Sequence, residues 1–288
     1  WADVRGVPGY SVPVCCVSGR DQLMPVVTVT GDDSRVADYR NLMDMAWRMR
    51  VEPELGLFLA EGEKVILRAL AAGYQPRSAL MTAKWLPGLQ DALTEYDMDV
   101  MFADKAVLRD VVGYRLHRGA LAAFRRKPMP SLADLLAGTE TLVVLEDLVD
   151  HTNVGLIMRT AAAVGIDAAV VSPRCADPYY RRSVKTSMGA VLSLPWTTAS
   201  EWPGALSDIA AAGFSLMALT PDVEAVTLGQ WRRDGRKVAL LLGTEGDGLT
   251  SMAMAAATER VRIPMTSRVD SLNVAAAAAI ACYAVVGD

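Results

Sequence analysis

"IPMTSRVDSLNVAAAAAI", residues 263–280, joins a strand-like Ile-Pro-Met to a polar turn, then to Ser271-Leu272-Asn273, then to a helix made almost wholly of alanine. Such a helix has few large side chains to bury, and its smooth face lets it press close to another backbone. The stretch closes an alternating series. Working back from it, "RVRIPM" (260–265) reads as a strand, "LTSMAMAAATE" (249–259) as a helix, and "KVALLLGTEG" (237–246) as a strand and turn. "FSLMALT" (214–220) is a further strand, "RRSVKTSMGA" (181–190) a helix, "DAAVVS" (167–172) a strand, "VGLIMRTAAAVG" (154–165) a helix ended by Gly165, and "TLVVLEDL" (141–148) a strand. Strand–helix alternation of this kind predicts a parallel sheet covered on both faces.

The first half is a smaller α/β/α unit. "DYRNLMDMAWRMR" (38–50) has helical spacing with arginines opposite the apolar residues, "LGLFLAEG" (55–62) is a strand, and "EKVILRALAAG" (63–73) an amphipathic helix. "SALMT" (78–82), "DVMFA" (99–103) and "GALAAF" (119–124) are strands. The expected organisation is a tail over 1–30, a first domain over 31–126, a linker over 127–139 marked by prolines and basic residues, and a second domain over 140–288. "WADVRGVPGYSVPVCCVSGR" (1–20) has neither an initiator methionine nor the compact apolar core of a signal peptide, and is given no role.

Composition narrows the function. The 288 residues are 52% hydrophobic with a net charge of −4, so a nucleic-acid partner would have to be held by local basic patches. No apolar run is long and pure enough to span a bilayer. Cys15 and Cys16 are adjacent, and Cys175 and Cys282 stand alone; all four read as reduced thiols in a cytoplasmic protein. With two histidines, His117 and His151, a His-rich metal site is ruled out and no metal is expected.

Three stretches carry candidate chemistry. In "DHTNVGLIMRTAAAVG" (150–165), Asn153 falls in the loop after a buried strand, where α/β proteins place ligand groups, Gly155 permits close backbone approach, and Arg159 can share the same mouth. An N-cap Asn and a solvent-facing Arg fit equally well. In "LLLGTEGDGL" (240–249), an apolar strand ends in Gly243, Glu245, Gly246 and Gly248, which is not a dinucleotide fingerprint and by itself suits ordinary turn chemistry. In the opening stretch, Ser271 reads as an N-cap and Asn273 as a first-turn residue with its amide free, so that the helix start either is simply capped or lines a ligand site.

In this order and separation, the three stretches closely resemble the three motifs of the SpoU-type (TrmH family) RNA ribose 2′-O-methyltransferases of the SPOUT superfamily. "RRSVKTSMGAVLSLPW" (181–196) is similar to that family as well, and the resemblance covers about 140–288. "FLAEGEKVILRAL" (58–70) and "HRGALAAF" (117–124) resemble the family's accessory substrate-binding domain, which has the fold of a kink-turn-binding ribosomal protein. One departure is Ala275, where the family usually has Ser.

The resemblance implies an α/β fold with a C-terminal parallel-sheet domain containing a trefoil knot, and a homodimer using the last helix. It implies S-adenosylmethionine bound at loops near 219–221, 243–248 and 263–273 by Leu219, Thr220, Gly243, Ile263, Met265, Leu272 and Asn273. It also implies a site of Asn153, Arg159, Glu245, Ser271 and Asn273. Family accounts make the Arg159 counterpart a base; a guanidinium is effectively always protonated, so gripping a phosphate and orienting the hydroxyl is the easier role. Asn153 would orient Arg159 or the ribose, and Glu245 would fix the Arg or the loop. His151 is read as a loop hydrogen-bonding group rather than a base. Arg118, Arg125, Arg126 and Lys127, with Arg181, Arg182 and Lys185, are the expected RNA contacts.

The leading expectation is 2′-O-methylation of 23S ribosomal RNA. Transfer RNA is the alternative, and a non-catalytic RNA-binding protein a third. A dinucleotide-dependent oxidoreductase fails for want of a glycine fingerprint.

Overall fold

The computed structural model describes residues 26–116, 119–269 and 271–287. The chain divides into two compact units, Trp1–Arg126 and Lys127–Asp288. Cys15, Cys16 and most of the expected tail lie outside the described residues, as do His117 and Arg118.

The first unit runs β1 (Val26–Thr28), α1 (Met45–Glu54), β2 (Leu57–Glu61), α2 (Glu63–Ala71), β3 (Pro76–Met81), α3 (Leu86–Leu93), β4 (Asp99–Phe102), α4 (Lys105–Val112) and β5 (Ala120–Arg125). Its five-stranded sheet has the order β1-β4-β3-β5-β2. β5 runs antiparallel to both β2 and β3, whereas β3, β4 and β1 are parallel. Tyr39 lies fully inside this unit. Its hydroxyl donates to the Ser78 carbonyl (2.8 Å) and accepts from the Ala123 amide (3.2 Å), tying the segment before α1 to two neighbouring strands.

The helix expected over 38–50 begins only at Met45, because Asn41 takes a left-handed φ of 55° and Asp44 caps the Trp47 amide. Its faces are also the reverse of those expected. Arg48 and Glu52 are the buried residues, while Met43, Met45 and Met49 are exposed. Spacing alone cannot choose between two faces when the inward one carries a mutually neutralising pair. Arg48 reaches Glu52 at i+4 (2.7 Å from Nε) and donates to the Asp38 carbonyl (2.9 Å).

The second unit runs α5 (Leu132–Leu136), β6 (Thr141–Leu145), α6 (His151–Val164), β7 (Ala168–Val171), α7 (Arg181–Thr186), β8 (Trp196–Thr198), α8 (Gly204–Ala211), β9 (Phe214–Leu219), β10 (Val226–Thr227), β11 (Lys237–Leu242), α9 (Ser251–Ala256), β12 (Glu259–Arg262) and α10 (Val274–Val286). Its seven strands are all parallel, in the order β10-β12-β9-β11-β6-β7-β8. The apolar runs of β6, β7 and β11 are buried along both faces, as central parallel strands must be. Leu142, Val144, Val170, Ala239 and Leu241 pack against Leu135 and Leu136 of α5, Leu206 and Ile209 of α8, and Ala253 of α9. α6 and α10 pack against each other on the opposite face, and α10 also meets β6 and β11.

Residues 131–137, read as linker, thus belong to the second core: Ser131 caps α5, and Leu135 and Leu136 are buried. Three short elements of the second unit, β8, α8 and β10, lie where no element was expected. Gly155 admits close approach of α7 rather than of a ligand, since a Cβ there would stand 2.6 Å from the Ser183 carbonyl oxygen. Among the described residues, no helix is long and apolar enough to cross a membrane.

Tyr39→Phe removes one donor and leaves the buried Ala123 amide without its acceptor, so it is expected to lower the unfolding free energy by about 1–3 kcal/mol. Urea unfolding measures this, and an unchanged midpoint would show that the hydroxyl is not a structural tie.

Candidate active site

β12, β9 and β11 are neighbours in the sheet, and their C-terminal ends open into three loops. Those loops and the start of α10 enclose a cavity of about 480 Å³. Leu219, Thr220, Gly243, Ile263, Met265, Leu272 and Asn273, named above from the sequence, all line it, with Ser271, Thr244, Glu245, Gly246 and Gly248 beside them. The turn after β11 is tight: Thr244 and Gly248 exchange backbone hydrogen bonds of 3.0 and 3.1 Å. Gly243 is required for that closure, because a Cβ would lie 2.2 Å from the Gly248 carbonyl carbon. The glycines of "LGTEGDGL" therefore serve turn chemistry and cavity wall together.

At the cavity edge three side chains meet from distant parts of the sequence. Asn153 is buried in the first turn of α6, not in the preceding loop, because Asp150 caps the helix by accepting from the Thr152 amide (2.8 Å). The Asn153 amide nitrogen donates to Glu245 Oε1 (2.8 Å). Asn273 Nδ2 donates to the same oxygen (2.6 Å) and to Asn153 Oδ1 (3.1 Å). Asn273, not Ser271, is the N-cap of α10; its Oδ1 accepts from the Ala275 and Ala276 amides (2.9 and 3.3 Å). Capping turns the amide oxygen toward the helix and leaves the nitrogen for the cluster. Ser271 remains in the cavity wall.

Arg159 is not part of this cluster. A residue six positions beyond Asn153 lies about 9 Å along the helix and roughly 120° around it. It is exposed, lies outside the cavity lining and forms no ion pair with another described residue. Glu245 accordingly holds the loop through two asparagines and does not hold Arg159. On α7, Arg182 is exposed and Arg181 and Lys185 are half-buried. Arg125 and Lys127 are exposed, whereas Arg126 spends its Nε on the Leu57 carbonyl (2.7 Å); Arg118 lies outside the described residues.

Glu146, which the sequence reading passed over, has the clearest supporting role. It follows the apolar run of β6, is 1% exposed, and accepts from Trp202 Nε1, the Thr250 amide and the Thr250 hydroxyl, each at 2.8 Å. Thr250 caps α9 at the far end of the Glu245 loop, so this carboxylate pins that loop to the sheet. An acidic residue placed directly after the apolar run "TLVVL" was the available signal. The preceding turn is held as well: Asp147, at a left-handed φ of 56°, pairs with Arg174 and accepts from the Ser172 hydroxyl (2.7 Å).

His151 makes no loop hydrogen bond through Nε2, which is buried without a partner among the described residues. Its ring packs 4.3 Å from that of Tyr180, and burial holds the imidazole below the ordinary histidine value. Burial likewise pushes the Cys282 thiol up to about 12. No cluster among the described residues could hold a metal ion.

Known proteins resemble this chain in sequence and fold. The SpoU rRNA Methylase family profile matches residues 140–283. An uncharacterised tRNA/rRNA methyltransferase of Mycobacterium bovis is 42% identical over 254 residues, 88% of each chain. The 23S rRNA (guanosine-2′-O-)-methyltransferase RlmB of a Burkholderia species is 30% identical over 185 residues, 63% of this chain and 74% of its own. The AdoMet-bound rRNA methyltransferase of Sinorhizobium meliloti superposes with a TM-score of 0.79 at 26% identity, covering 90% of this chain and 97% of its own. Fold and site together define an α/β RNA methyltransferase with a SPOUT-type parallel sheet. The chain belongs to the SpoU rRNA methylase family, whose methyl donor is S-adenosylmethionine.

Two outcomes follow from these contacts. Glu146→Gln turns an N–H toward one of its former donors and is expected to cost about 1–3 kcal/mol, partly recovered by adding Trp202→Phe, which removes a donor. Urea unfolding of the single and double variants reads this, and a Gln variant as stable as the parent would remove Glu146 as the clamp. Because the fold buries a neutral His151, protonation favours the unfolded chain; stability is complete above the ordinary value of 6.5 and falls as pH drops below it. His151→Gln is expected to flatten the loss of melting temperature between pH 7 and about 5, and an unaltered slope would assign that loss to other groups.

Proposed function

We propose that this chain transfers the methyl group of S-adenosylmethionine to a ribose 2′-oxygen of 23S ribosomal RNA. The observation that carries this reading is the Asn153–Glu245–Asn273 cluster at the edge of the three-loop cavity. The residues present suit the donor. The cavity falls within the roughly 300–1,000 Å³ of small-molecule sites. Its wall offers backbone N–H and C=O groups for adenine from Leu219, Thr220, Gly243, Ile263 and Met265, and Leu272 supplies apolar surface. Among the described residues, Glu245 is the one ionisable side chain lining it. When bound, the donor supplies an electrophilic methyl group.

Asn153 and Asn273 hold the Glu245 loop in place, and Ser271 stands in the wall where a ribose would enter. Arg159, on the exposed side of α6, is suited to gripping an RNA phosphate, with Arg181, Arg182 and Lys185 of α7 as further contacts. The first unit would hold RNA, with Arg125 and Lys127 near its end. We read the loops after β9, β11 and β12 as the crossings of a trefoil knot, the assembly as a homodimer through α10, and the compartment as the cytoplasm.

Ribosomal RNA is favoured by the RlmB relative, whose name specifies 23S rRNA. The mycobacterial relative's name covers transfer RNA as well, which sustains that substrate as a second reading.

The test is transfer of a labelled methyl group from S-adenosylmethionine to unmodified 23S ribosomal RNA and, separately, to transfer RNA. Label at a ribose of 23S RNA is expected, reduced at least about 100-fold by Asn153→Ala, which unties the cluster. Label in transfer RNA alone would move the substrate to the second reading. Donor binding without transfer to either RNA would replace the enzyme with a binding protein.

A further inference from the structure

Both asparagines of the cluster donate to the same oxygen of Glu245. Asn153 Nδ2 and Asn273 Nδ2 lie 2.8 and 2.6 Å from Oε1, and Oε2 has no hydrogen-bond partner among the described residues. The side chain that carries this open oxygen lines the cavity. We propose that Glu245 Oε2 receives the proton of the ribose 2′-hydroxyl during methyl transfer, an inference that rests on the reaction proposed above.

The alternatives at the site are poor acceptors. Thr220, Thr244 and Ser271 line the cavity with neutral hydroxyls, which are very weak bases. Asn273 has its amide oxygen committed to the Ala275 and Ala276 amides, and its nitrogen only donates. Arg159 carries a guanidinium that stays protonated, and it stands on the exposed side of α6 outside the lining. His151 is packed on Tyr180 and is also outside the lining. Glu245 is the only anion in the wall among the described residues, and two donors on one oxygen fix the carboxylate so that the other oxygen keeps a defined direction.

The chemistry balances. The 2′-oxygen forms its bond to the methyl carbon while the carbon–sulfur bond breaks, and that bond's electron pair stays on sulfur as a neutral thioether. The hydroxyl proton passes to Oε2, giving a neutral glutamic acid that returns the proton to water. A carboxylate is too weak a base to strip a ribose hydroxyl beforehand, so proton transfer accompanies methyl capture. Placing the acceptor on the Glu245 loop, and a phosphate contact on Arg159, separates proton removal from substrate grip.

Glu245→Gln isolates the open oxygen, because the amide oxygen can still accept from both asparagines while an NH₂ group takes the place of Oε2. Three quantities are measured on the full chain: melting temperature, S-adenosylmethionine affinity by calorimetry, and the single-turnover rate of transfer to RNA. Melting temperature and affinity are expected to hold, the latter within about threefold, while the rate falls about 10²- to 10⁴-fold. In Glu245→Ala, added formate is expected to raise the residual rate in proportion to its concentration, as an exogenous carboxylate base would. A Gln variant within about tenfold of the parent rate overturns the proposal, and so does one that loses donor affinity as much as rate, since Glu245 would then be a binding group. Absence of transfer by the unsubstituted protein removes the reaction itself, an outcome distinct from an active parent with an equally active Gln variant.

Discussion

The second unit turns on two asparagines sharing one carboxylate oxygen across 92 and 28 residues of sequence, with a third bond spanning 120 between the asparagines themselves. Each bond is short range, so three backbone segments must arrive within a few ångströms of one another. The parallel sheet makes that arrival repeatable: β6 delivers α6 and Asn153, β11 delivers Glu245, and β12 leads to Asn273. Neighbouring parallel strands end on the same side, which brings their loops to one mouth. A hydrogen bond to a carboxylate contributes about 1.5–3 kcal/mol, too little to hold loops that the sheet did not already bring together.

The alanines of α10 belong to the same constraint. Ala275, Ala278 and Ala281 are buried, and the helix lies against α6 and the sheet without large side chains to hold it off. That closeness lets an N-cap residue of α10 reach a first-turn residue of α6. Gly155 acts similarly on the other side of α6, where it admits the Ser183 backbone of α7. Small residues here set interhelical distance, and distance sets whether the asparagines meet.

A buried carboxylate sits behind this arrangement. Glu146 answers three donors from Trp202 and Thr250, and through Thr250 it anchors the start of α9. It has no cation beside it in those contacts; its charge is met by hydrogen-bond donors, the condition under which a buried anion is tolerated. The loop that carries Glu245 is thus fixed at one end by Gly243 and at the other by Glu146, which leaves the intervening turn free to serve as cavity wall.

Much was determined by the sequence alone. Alternating apolar runs and helical segments marked the parallel α/β domain, because periodicity reports which side of each element is buried. The ordered motifs around Asn153, Glu245 and Asn273 marked the family and the cavity residues. Tertiary structure decided what periodicity cannot carry. Arg48 and Glu52 turned inward because each neutralises the other, and residues 131–137 became core because their leucines found a sheet face. Asn273 displaced Ser271 as the cap, since its nitrogen had partners waiting from α6 and the β11 loop. Arg159 fell away from Asn153 because six residues of helix turn a side chain to another face. Glu146 gained its role only from Trp202 and Thr250, 56 and 104 residues away. Local pattern is written in neighbouring residues, but which distant groups satisfy one another is settled only when the chain closes on itself.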